Sequence, residues 1–166
     1  VEKMKSVEDR VTMLKKLLTI TKVKDIMNTR PRTISPEASV EEAIDRLHQQ
    51  IDDCLPVLDK DRKLIGIVTE SDVLQVIDFG VPGRAIVGSV RELRKRTAKT
   101  VNEMMTPNPI SVTPEMSILE TLNAMREHKL RHLPVVDKKN KLVGLICLRE
   151  IVGLYRLSIS EKIKST

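Results

Sequence analysis

The sequence has almost no aromatic residues: one Phe, one Tyr and no Trp in 166 residues. The core must therefore be built from Ile, Val, Leu and Met. Binding of single-stranded nucleic acid by base stacking is disfavoured for the same reason. Only two cysteines are present, Cys54 and Cys147, and they have no metal-ligand spacing. Reduced structural thiols in a cytoplasmic protein are the expectation. No run of 18 apolar residues occurs, so no membrane span is expected. The N-terminus is charged and amphipathic, without the apolar stretch of a signal peptide. The chain starts at Val1 rather than Met, which suggests truncation or processing.

What is present is a repeat. Residues 23–77 match residues 101–155 at a constant offset of 78, with 15 identical positions. Met27 falls on Met105, Pro31 on Pro109, Pro36 on Pro114, Leu55-Pro56-Val57 on Leu133-Pro134-Val135 and Gly66 on Gly144. The period is too long for a solenoid and points to two copies of one α/β unit. Each copy alone would bury little apolar surface, so the copies are expected to stabilise each other. The boundaries expected are an N-terminal helix at 1–22, repeats at 23–79 and 101–156, a linker at 80–100 and a tail at 157–166.

Within each copy the order of elements is the same. Extended pieces, 32–35 and 110–113, end at Pro36 and Pro114, because proline cannot continue a ladder. Helices follow from Ser39 and Ser117, each with a glutamate three residues on, Glu42 and Glu120, in the capping-box pattern. Short buried strands at 55–58 and 133–136 lead through polar turns, 59–62 and 137–140, to returning strands at 63–68 and 141–146. Second helices are expected at 71–77 and 149–155. The unit reads β-α-β-β-α, an α/β (α+β) fold in two pseudo-symmetric copies. Residues 1–22 carry Met4, Val7, Val11, Leu14 and Leu18 as one helical apolar stripe, suited to packing on its own module. A dimer contact is the sharper alternative and a membrane-surface helix the remote one.

The net charge of +6 is unevenly spread. Residues 80–100 hold Arg91, Arg94, Lys95, Arg96 and Lys99 on a stretch with helical character at 89–99. A solvated basic face is the plain reading; contact with nucleic acid or an acidic partner is the alternative. No Ser-His-Asp or Cys-His set is visible, and His48, His128 and His132 lack HExxH-type spacing. A non-catalytic protein is expected, with no cofactor required.

The strongest local signal is Gly66-Ile67-Val68-Thr69-Glu70-Ser71-Asp72, where a buried strand ends in hydroxyls and a helix begins. Free N–H groups at that helix start suit a phosphate, and Asp72 suits a ribose diol. The structural alternative is that Thr69 or Ser71 caps the helix and Asp72 favours its first turn.

The repeat and these motifs together resemble the CBS domain (cystathionine β-synthase type) as a tandem pair, the Bateman module, in a small stand-alone prokaryotic or archaeal-like protein. The resemblance covers roughly residues 22–156. It implies clefts between the two copies that bind adenine nucleotides or S-adenosylmethionine. One cleft would combine Thr69, Ser71 and Asp72 with Thr106, Pro109, Ile110, Leu130 and Arg131. Ile110 and Leu130 would sandwich the adenine, with Ile67 beneath it. Arg131 and His132 would stand near the phosphates and favour AMP, then ADP or ATP, over an uncharged nucleoside. The opposite cleft departs from the pattern. Cys147 replaces Thr69, Glu150 replaces Asp72, and Asp52, Asp53 and Cys54 stand where the other copy has Leu130, Arg131 and His132. Arg149 and Arg30 would only partly offset two carboxylates near a phosphate. One competent site is therefore expected. The resemblance also implies a homodimer, a sensor whose ligand shifts its shape, and an unidentified protein partner; a regulatory fragment of a transporter or enzyme, or a nucleic-acid-associated regulator, stands as the alternative.

Overall fold

The computed structural model describes residues 7–49, 54–77 and 97–164. The expected linker helix at 89–99 falls almost wholly outside them, as do Met4, Asp52 and Asp53. The helices are α1 (Val7–Ile20), α2 (Val23–Ile26), α3 (Val40–His48), α4 (Glu70–Ile77), α5 (Val101–Met104), α6 (Ile118–Glu127) and α7 (Leu148–Lys164). The strands are β1 (Cys54–Leu58), β2 (Leu64–Thr69), β3 (Thr106–Pro107), β4 (His132–Val136) and β5 (Leu142–Cys147). Small antiparallel sheets and helices in one mixed chain define an α+β fold.

The chain forms two compact units, and neither is a single repeat. The first takes the chain up to Arg30, Ser111–Asp137 and the chain from Val143 on. The second takes Pro31–Ile110 and Lys138–Leu142. Each unit thus combines most of one repeat with the leading segment of the other. In the first unit, fully buried Val23 shares a core with Val112, Ile118, Leu133 and Ile146. In the second, Val101 and Met104 share a core with Ile34, Val40, Leu55 and Val68.

The second unit holds the three-stranded sheet β1-β2-β3. β1 and β2 form an antiparallel hairpin in which Cys54 faces Thr69 and Pro56 faces Ile67. β3 adds to the free edge of β2, with Gly66 opposite Pro107 and Ile67 opposite Thr106. The first unit holds the two-stranded sheet β4-β5, and Asn28 bridges Leu145 there.

The expected first strands are not strands. Each contributes one parallel bridge, Ile34 to Val57 and Val112 to Val135. Ile34 N–H donates to the Pro56 carbonyl at 3.0 Å, and Val112 N–H to the Pro134 carbonyl at 3.0 Å. Prolines 31, 36, 109 and 114 flank these segments and remove the donors a longer ladder needs. The short helices α2 and α5, each one turn long, precede them. α7 continues well past the expected end at 155.

The serine caps form at both expected places. Ser39 Oγ accepts from Glu42 N–H at 3.1 Å, and Ser117 Oγ from Glu120 N–H at 3.2 Å. Only the second is a full capping box, with Glu120 Oε2 accepting from Ser117 N–H at 2.8 Å. Glu42 instead pairs with Arg46, one turn along, at 2.7 Å. In α1, Leu18 is buried and Leu14 packs on the first core. Val11 is 59% exposed, so the expected stripe is only partly covered within the unit.

The Ser117 hydroxyl, then the Ser117 N–H, hold the Glu120 carboxyl below its ordinary value of 4.5. A carboxyl with a depressed folded pKa stabilises the fold above its unfolded pKa. That contribution is lost as pH falls through the folded value. Acidification from about pH 5 to about pH 3 should therefore lower the melting midpoint of Glu120→Gln less than that of the parent. Gln can still accept the bond but does not titrate. Equal losses in both proteins would remove Glu120 from the acid response.

Candidate functional site

The clearest polar cluster in the second unit forms where β2 runs into α4. Asp72 lies in the first turn of α4 and is 3% exposed. Its Oδ2 accepts from Thr69 N–H at 2.8 Å and from the Thr69 hydroxyl at 3.2 Å. Its Oδ1 accepts from the Thr106 hydroxyl at 3.2 Å. The edge pairing of β3 on β2 sets Thr106 beside Ile67, two residues before Thr69. Four expected site residues, Ile67, Thr69, Asp72 and Thr106, are therefore gathered at one sheet end.

Ser71 is exposed in the same helical turn. Pro109 is half-buried and Ile110 is 38% exposed. Their segment is held by Asn108, whose N–H donates to the Ile65 carbonyl at 3.1 Å, with a φ of 48°. Leu130, Arg131 and His132 belong to the first unit. There the Leu130 N–H donates to the Met125 carbonyl at 2.8 Å, and the Arg131 carbonyl accepts from Leu148 N–H at 2.8 Å. The Arg131 side chain is exposed, while Leu130 and His132 are half-buried.

The matching turn of the first unit keeps part of this arrangement. Glu150 Oε2 accepts from Cys147 N–H at 2.7 Å, as Asp72 does from Thr69. Arg149 Nε lies 3.9 Å from Glu150 Oε1. Arg30 N–H donates to Asn28 Oδ1 at 2.9 Å. A carboxylate reaching back three residues to the last N–H of the strand is thus common to both repeats.

The sequence had suggested Thr69 or Ser71 as the structural cap. The capping group is Asp72 itself. Its counterpart Glu150, at the same offset, was the available signal, since both side chains can reach an N–H three residues back. Among the described residues, no group of three His, Cys, Asp or Glu side chains could hold a metal ion. No described helix is long and apolar enough to cross a membrane. Cys54 and Cys147 are both buried, and neither is in a disulfide.

Two copies of an α+β unit with exchanged leading segments, and a Thr-Asp turn at one sheet end, define a tandem-repeat module. The CBS domain model matches residues 23–78 and 101–156, so the chain belongs to the CBS domain family as a tandem pair. It is 31% identical over 133 residues to the chloroplastic CBS domain-containing protein CBSX1 of Arabidopsis thaliana, covering 72% of this chain and 56% of that protein. It is 32% identical over 129 residues to the inosine-5'-monophosphate dehydrogenase of Aquifex aeolicus, covering 76% of this chain and 23% of the enzyme. The chain thus spans about half, or about a quarter, of these relatives. CBSX2 of Arabidopsis thaliana, solved in complex with AMP, superposes with a TM-score of 0.71 at 27% identity, covering 84% of this chain and 97% of that one. The CBS domain pair of protein MJ0100, solved with 5'-methylthioadenosine and S-adenosyl-L-methionine, superposes with a TM-score of 0.69 at 27% identity, covering 84% and 98%.

Proposed function

We propose that this chain is a non-catalytic regulatory module that binds an adenine nucleotide, AMP first and ADP or ATP next, and transmits a change of shape. The supporting observation is the Thr69-Asp72-Thr106 cluster beside Ile67 in a fold shared with a CBS pair solved with AMP. A carboxylate is an acceptor that a ribose diol can satisfy. Ser71, exposed at the start of α4, can donate to a phosphate, whereas the Thr69 hydroxyl must first turn away from Asp72 to do so. The exposed Ile110 offers apolar contact to a base, while Ile67, at 8% exposure, lies buried in the strand beneath. The family resemblance also implies ligand roles for Leu130, Arg131 and His132 of the first unit. Cytoplasmic residence and a homodimer belong to the same proposal, as does a protein partner that reads the change. Nucleic acid bound through the basic linker is its rival. The shift transmitted can be no larger than the ligand's differential affinity for the two shapes.

S-adenosylmethionine is the second reading, favoured by the ligands of the MJ0100 pair. A melting series with AMP, ADP, ATP, NADH and S-adenosylmethionine separates the two, because a ligand that prefers the folded state raises the midpoint. At a ligand concentration of 100 times Kd the stabilisation is about 2.7 kcal/mol. AMP should give the largest rise, and calorimetric titration should count about one site per chain, since Cys147 and Glu150 replace Thr69 and Asp72 in the other copy. Two equal sites would overturn the asymmetry. No shift with any of the five would overturn the binding role.

A further inference from the structure

Both hairpin turns meet within the second unit, and they meet with like charge. Leu64 N–H donates to the Asn140 carbonyl at 3.0 Å, and Leu142 N–H to the Arg62 carbonyl at 3.3 Å. These reciprocal bonds flank an antiparallel bridge between Lys63 and Lys141. Asn140 Nδ2 adds a bond to the Leu64 carbonyl at 3.0 Å. Residues flanked in this way form a non-hydrogen-bonded pair, with Cα atoms about 4.5 Å apart and side chains close together. Like charges set directly opposite each other destabilise a sheet pair.

A second unfavourable choice sits one residue away. Arg62 has a φ of 64°, and Asn140, its counterpart in the other turn, a φ of 60°. Asn is enriched in this left-handed region, whereas a long side chain such as Arg is not favoured there. Asn would fit position 62 with less strain, yet Arg stands there. Lys60, Lys138 and Lys139 complete the ridge, and all six cationic side chains are exposed. The same turns of the second unit carry two carboxylates, Asp59 and Asp61. Asp59 Oδ1 is already an acceptor for Asp61 N–H at 2.9 Å and Lys63 N–H at 2.8 Å.

Both choices run against local preference, and both add positive charge at one point. Strain of this kind gathers at functional sites. We infer that the paired hairpin turns form an anion-binding ridge for an oligophosphate chain, with Lys63 and Lys141 bridging neighbouring phosphates and Arg62 closing on one of them. A single carboxylate would engage one ammonium; a chain of phosphates engages several cations in a row. The ridge lies apart in the sequence from the Thr69-Asp72-Thr106 cluster, and it needs no adenine.

Inorganic tripolyphosphate is the probe, followed by calorimetric titration of the full chain across a salt series. The parent should bind it, more weakly as salt rises. Lys63→Ala/Lys141→Ala should lose at least tenfold in affinity. Arg62→Asn should lose affinity while its melting midpoint rises, because the strain is relieved as the charge is removed. Saturating AMP should leave tripolyphosphate affinity unchanged. No binding by the parent, parent-like affinity in the double variant, or competition by AMP would each overturn the ridge. The last outcome would move the phosphate to the proposed nucleotide site.

Discussion

Asp72→Ala is expected to remove the AMP-induced rise in melting midpoint and also to lower the midpoint of the ligand-free protein. The second effect follows from burial. Asp72 is 3% exposed and accepts from the Thr69 N–H, the Thr69 hydroxyl and the Thr106 hydroxyl. Alanine takes away that acceptor and breaks the link between the β2–α4 turn and β3. Each buried polar group left unsatisfied costs about 1–3 kcal/mol. For a chain of this size each kcal/mol moves the midpoint by about 2–4 °C.

Asp72→Glu separates the two roles. The protein already contains the answer for the fold: Glu150 makes the equivalent bond to Cys147 N–H at 2.7 Å. Glutamate at position 72 should therefore hold the turn and keep the midpoint close to that of the parent. Its carboxylate is displaced by one methylene, so a diol fitted to aspartate should bind at least tenfold more weakly. That factor corresponds to about 1.4 kcal/mol. Thermal melting reads the first effect and calorimetric titration of AMP reads the second. Parent-like AMP affinity in Asp72→Glu would end the assignment of the ribose to Asp72. A midpoint as low as that of Asp72→Ala would show that the turn needs aspartate itself.

The offset of 78 located both serine caps, both hairpins and both second helices, because local bonds and turn chemistry are written in neighbouring residues. It did not say that Glu42 would leave its box for Arg46, a competition settled by charge one turn away. The first strands failed because proline-flanked segments look extended whether or not they pair. The exchange of leading segments was invisible. Periodicity shows that Val23 and Val101 are buried, but not against which partner. Met27 and Met105 align with each other, as do Gly66 and Gly144, yet the contacts run crosswise. A Cβ on Gly144 would sit 2.6 Å from Met27 Sδ and 3.0 Å from the Asn28 carbonyl oxygen, and one on Gly66 would collide with the Met105 sulfur. Each methionine fills the notch left by the glycine of the other copy.

That crosswise packing makes the two repeats inseparable. Polypeptides 1–96 and 97–166, produced apart, each contain one whole repeat, yet neither should show a cooperative thermal transition. The first loses Val101, Met104 and Met105 from the core around Leu55 and Val68. It also loses β3 from the edge of β2 and the Thr106 hydroxyl from Asp72. The second loses Leu18 and Val23 from the core around Leu133 and Ile146, and Met27 from the notch at Gly144. Truncating one buried Leu, Ile or Met to Ala costs about 2–5 kcal/mol. The loss of two or three such side chains together consumes most of the 5–15 kcal/mol that a folded domain has in all. Mixing the two polypeptides should restore a single transition whose midpoint rises with concentration, because association supplies the missing segments. Circular dichroism melts of each piece and of the mixture read this directly. A cooperative transition in 97–166 alone, near the parent midpoint, would mean that the exchanged segments decorate the units rather than hold them together.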